Sequence, residues 1–165
     1  MRASIVCLGW LAAGMADAQQ GTISLVDSDG KIAGRMLNET IVLVAAGGAT
    51  APASIRAIFD SDGRAASGLG TWQSGGSVLF TSPDCSTGAH VYSPSHPAVR
   101  GAAQVETASG IMLYVAAIGS ATTQTIHSVL YDTGCSSVSL RQNGLHPVVM
   151  TVNLTTQYPP PLSLQ

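Results

Sequence analysis

The chain has little charge to work with. Acidic and basic residues fill 10% of its 165 positions, Lys31 is the single lysine, and Glu39 and Glu106 are the only glutamates. Cations this sparse and scattered cannot neutralise a row of phosphates, which argues against a nucleic-acid partner. Aromatic residues are also scarce, at 5%, so a core must be built from Val, Ile, Leu and Ala. His90, His96, His127 and His146 are the only histidines. No two have the spacing of a helical zinc pair, and no glutamate stands between two of them to act as base. Serines are plentiful, yet none occupies a Gly-x-Ser-x-Gly elbow. No catalytic, cofactor-binding or metal-ligating residue is therefore assigned, and no cofactor is expected. Beyond the first 18 residues, no apolar run is long enough to cross a hydrocarbon layer of roughly 30 Å.

What is present begins with an export signature. MRASIVCLGWLAAGMADAQQ carries one arginine, an apolar stretch from Ile5 to Met15, and small residues at Ala16 and Ala18. That pattern predicts a secretory signal peptide over residues 1–18, with the mature chain starting at Gln19. Lipid attachment at Cys7 is disfavoured, because Val6 stands where a small residue is wanted. The expected location is the periplasm or the extracellular space. Arg2 and Asp17 both fall within the leader, so the net charge of −2 is unchanged by its removal.

Residues 19–165 read as a single β-rich domain with no linker. Short β-rich runs recur between turn residues: 21–27, 41–46, 54–60, 76–81, 89–92, 103–107, 111–118, 125–131, 137–141 and 148–154. Breakers such as GGATAP (47–52) punctuate them. The spacing predicts an all-β fold, a single antiparallel β-sandwich or partly open barrel. No segment combines a helical period with a cap and a stop, although the alanine-rich piece around 98–108 has room for a short helix. The prolines of PPPLSLQ predict an extended tail that starts outside any ladder.

Two cysteines remain after export, Cys85 and Cys135. An even count in an oxidising compartment predicts a disulfide. Each follows an aromatic-ended strand beside a turn, in LFTSPDC and VLYDTGC. Asp84 and Asp132 lie close by, and acids disfavour a reactive thiolate.

Five further stretches imitate three kinds of functional motif. YDTGCSS (131–137) resembles the Asp-Thr-Gly loop of aspartic proteases, where paired aspartates share a proton. Here there is one copy, only 33 residues follow Asp132, and Cys135 stands where that family has a serine or alanine. The twin DSDGK (27–31) and DSDGR (60–64) resemble the start of a calcium loop. Each puts a cation at position 5 and no glycine at position 6, so both are assigned to Asp-Gly turns between strands. Asn38-Glu39-Thr40 and Asn153-Leu154-Thr155 fit the glycosylation sequon. The short leader has a bacterial look, and both are expected to be bare.

Taken together, the chain resembles a group of small exported proteobacterial β-rich proteins of unassigned function. The likeness rests on Val26, Asp27, Gly30, Lys31 and Gly34, then Phe80, Asp84, Cys85 and Gly88, then Cys135, and finally Pro160, Pro161, Leu162 and Ser163. It implies no catalytic residue. The expectation is a non-catalytic exported domain binding another exported protein or a cell-surface component. The alternative is a structural subunit, pilin-like or fibre-like, whose opening strand GTISLVD pairs with a neighbour; a small exported hydrolase is the third reading.

Overall fold

A computed structural model describes residues 22–96 and 98–165. The expected leader and the Gln19 start lie outside them. In chain order the strands are β1 (Ser24–Val26), β2 (Ile32–Met36), β3 (Ile41–Ala46), β4 (Ala49–Phe59), β5 (Ala65–Trp72), β6 (Val78–Phe80), β7 (Ala89–Val91), β8 (Ala102–Thr107), β9 (Gly110–Ala116), β10 (Thr122–Tyr131) and β11 (Gly134–Asn153). A single-turn helix, α1 (Leu154–Gln157), and a last strand, β12 (Leu162–Leu164), complete the described chain. The fold is all-β, as the alternation predicts.

Three hairpins, β1–β2, β2–β3 and β3–β4, follow one another, and β4–β5 adds a fourth. The C-terminal β12 then inserts between β5 and β1 and closes a six-stranded antiparallel barrel in the order β1-β12-β5-β4-β3-β2. Closure leaves this sheet no edge. It also means that β1 is hydrogen-bonded on both sides, so the opening strand offers no free edge to a neighbour.

The remaining strands form a second sheet, β10-β6-β7-β11-β9-β8, in which β10 also pairs with β11. Four of its strands, β10, β6, β7 and β11, therefore close on themselves. Leu79, Ile126, Val129 and Leu145 pack together as one cluster of that sheet, while Val78, Phe80, Val91, Val105 and Ala116 form another. The barrel and the second sheet share the largest core. Leu113, Val115, Val152 and Leu154 pack with barrel residues Leu25, Val42, Val44, Trp72 and Leu162.

One buried polar side chain links the two sheets. Gln104 on β8 donates through Nε2 to the Ser54 carbonyl at 3.2 Å and accepts the Ser54 N–H through Oε1. The β8 backbone carbonyl of the same residue accepts the Gly76 N–H at 2.8 Å. A buried amide bonded through both its nitrogen and its oxygen stabilises the register between layers, because sliding would break both bonds.

Several elements differ from the sequence reading. GGATAP is not a breaker: only Gly47 and Gly48 turn, and β4 begins at Ala49. Pro52 sits inside that strand opposite Leu43. The alanine-rich piece holds β8 rather than a helix. Strands β2 and β5 were not anticipated, since IAGRM and AASGLGTW alternate weakly. The two expected strands 137–141 and 148–154 are one 20-residue strand, β11, which runs through Pro147. The tail pairs too, because the prolines 159–161 end before β12 starts.

Candidate functional site

Phe80 ends β6, and the chain turns through 81–88 before β7. Ser82 Oγ accepts the N–H groups of Ser86 and Thr87 at 3.1 and 3.0 Å. Asp84 Oδ1 accepts the Ser86 hydroxyl at 2.6 Å. That hydroxyl first, and Ser82 second, hold the exposed Asp84 carboxyl below its usual range by favouring the charged form. Cys85 takes a positive φ of 55°, uncommon for a residue with a side chain. Its N–H donates to Ser128 Oγ at 3.0 Å, and the fully buried Ser128 donates in turn to the Ser82 carbonyl at 2.6 Å.

The expected disulfide is present: Cys85 and Cys135 are bonded, with Cα atoms 6.0 Å apart and 50 residues between them in sequence. It ties the β6–β7 loop to the first turn of β11, so neither thiol is available for chemistry. The Cys85 loop is a fastening rather than a reactive site.

The other imitations resolve the same way. Asp132 Oδ1 accepts the Glu106 N–H at 2.8 Å. The Asp-Thr-Gly aspartate thus caps an outward amide of β8, the last strand of its sheet, a position that otherwise invites unwanted pairing. In DSDGK, Asp27 Oδ1 accepts the N–H groups of Asp29 and Lys31 at 3.0 and 2.8 Å. In DSDGR, Asp60 Oδ1 does the same for Asp62 and Arg64 at 3.0 and 2.9 Å. Gly30 and Gly63 sit at φ 79° and 74°, left-handed values that favour glycine. Both are hairpin turns in which one carboxylate oxygen serves two backbone amides. They differ in burial: Asp60 is exposed, while Asp27 is buried where the Ser28 N–H meets the Pro159 carbonyl.

His90 and His146 lie on paired strands, with Pro147 opposite His90 and Val91 opposite His146. Being diagonal, they project to opposite faces of the sheet. His146 is buried within β11. Among the described residues no group of three His, Cys, Asp or Glu side chains could hold a metal ion. Asn153 caps α1 by accepting the Thr156 N–H at 3.0 Å and donates to the Ser109 carbonyl at 2.8 Å, so its sequon amide is occupied.

Sequence reasoning named no binding surface, but the barrel carries a groove. The register aligns Arg56 with Thr71, and Leu162 with Gly70, so the outer faces of β4, β5 and the start of β12 lie side by side. The register shifts between Ala57 and Phe59, where two steps along β4 face five along β5, from Gly70 to Ala65. The result is an open groove of about 510 Å³ lined by Arg56, Ala57, Ile58, Phe59, Thr71, Pro160 and Pro161. Phe59 is 63% exposed at its rim. The only available signal was Phe59 itself, a rare aromatic at a strand end. The prolines that join it come from 100 residues away.

No known family profile matches this chain, and no curated protein or solved structure shows significant similarity to it.

Proposed function

We propose that this is a non-catalytic exported binding domain for another exported protein or a cell-surface component. The observation carrying that reading is the groove beside Phe59. Its walls are flat apolar faces, an aromatic ring and two prolines, and its polar groups are one guanidinium and one hydroxyl. An aromatic ring stacks on such faces, and a carboxylate pairs with Arg56. A nucleophile with a base beside it, the minimum for covalent hydrolysis, is absent from that lining. Export is supported by the leader pattern and by a disulfide that persists in an oxidising compartment.

The test is an amide NMR titration of the mature protein with N-acetylphenylalanine, which carries one ring and one carboxylate. Shifts should gather at Arg56–Phe59 and Thr71, and Phe59→Ala or Arg56→Ala should remove them while leaving the melting temperature nearly unchanged. Shifts confined to another surface, or turnover of ester, peptide or glycoside reporters that survives repurification, would sink the reading.

A further inference from the structure

The second sheet leaves one long strand half paired. From Gly134 to Leu145, β11 pairs with β10 along one edge. Its later partners, β7 and β9, begin only at His146 and Val148. Among the described residues no strand pairs with the other edge between Cys135 and Gly144. Every side chain from Cys135 to Gly144 is exposed or half-buried. Alternate peptide groups along this stretch therefore present N–H and C=O to solvent, a row whose natural complement is another extended strand.

Most proteins blunt such an edge with lysine, proline or inward-pointing charge. Between Cys135 and Gly144 the sequence is CSSVSLRQNG, with no proline, no lysine and Arg141 as its one charge. The cross-strand neighbour of Arg141 is Thr125, which cannot neutralise it. Leu140, 36% exposed, and Val138 add apolar contact. The edge is kinked as well. Opposite Ile126 and Ser128, β11 spends an extra residue between Leu140 and Ser137, and another between Leu145 and Gln142. Two such bulges make it a poor match for a second rigid copy of itself, because both strands would bend at the same places. A pliable segment adapts to them.

We propose that the outer edge of β11, from Cys135 to Asn143, accepts by strand addition an extended segment of a partner polypeptide carrying a carboxylate against Arg141. The disulfide at Cys135 holds the start of this edge against the β6–β7 loop, so the strand is pre-ordered before the segment arrives. The surface is separate from the groove at Phe59, and each reading stands or falls on its own residues.

The probe is a nine-residue peptide of alternating Thr and Val with a central Glu, titrated into the mature protein. Two control peptides carry a central Lys, or N-methyl groups on alternate amides. Amide signals of residues 135–143 should shift, and hydrogen exchange at alternate amides there should slow by about tenfold. The Lys peptide should bind about threefold more weakly, the range of an exposed ion pair, and Arg141→Glu should reverse that preference. The N-methylated peptide should not bind. Absence of shifts at 135–143 up to about 1 mM peptide, where even weak strand addition is visible, overturns the proposal. So does equal binding of the N-methylated peptide, or a sedimentation coefficient that rises with protein concentration alone, which would assign the edge to a second copy.

Discussion

Breaking the Cys85–Cys135 link should cost stability without dissolving the fold. The bridge closes a 50-residue loop containing β7, β8, β9 and β10. In the chain-entropy relation a loop of that length is worth about 4 kcal/mol. The full value will not be lost. Cys85 stays docked through its N–H bond to Ser128, and the β10–β11 hairpin that carries Cys135 stays paired. A loss of about 3 kcal/mol is expected for Cys85→Ser with Cys135→Ser, lowering the melting temperature by roughly 6–12 °C. The positive φ at Cys85 provides an internal control. Glycine adopts it freely, so Cys85→Gly with Cys135→Ser should be less damaging than the double serine variant by about 1 kcal/mol. Calorimetry of the oxidised, reduced and two double-variant proteins gives all four values. A change under about 1 kcal/mol on reduction, or two free thiols in denatured oxidised protein, would refute the reasoning. A glycine variant less stable than the serine one would refute the claim about backbone strain.

Two further outcomes follow from buried polar groups. Gln104→Leu leaves the Ser54 N–H between the two sheets without a partner, while the Ser54 C=O keeps the Gln73 N–H at 2.9 Å. It should destabilise by about 1–3 kcal/mol in urea denaturation, the cost of one unsatisfied donor; a neutral result would mean that water replaces the amide. The twin turns should respond unequally to alanine. Asp27→Ala strips acceptors from two amides beside a buried site and should cost about 2 kcal/mol, whereas Asp60→Ala at the exposed turn should cost about 1. Equal melting temperatures for the two variants would show that burial does not set the difference.

The sequence by itself was enough for the fold class, the disulfide and the two Asp-Gly turns. Alternation, turn chemistry and an even cysteine count are local signals, and local signals survive without coordinates. The twin DSDG turns show this most clearly, since a carboxylate two and four residues ahead of the amides it serves acts within its own loop. Where the signal is non-local, only the tertiary structure decided. Strands β2 and β5 are set by the strands on either side of them, β1 and β3 for the first, β4 and β12 for the second. Strand β12 is three residues long and becomes a strand only by fitting between β5 and β1. Asp132 caps an amide 26 residues back along the chain, and the groove joins Arg56 and Phe59 to prolines at 160 and 161. The edge of β11 left unpaired among the described residues is likewise a property of which strands do not arrive beside it. Neighbours distant in the chain set those features, and a linear pattern of hydrophobicity carries no record of which neighbours they will be.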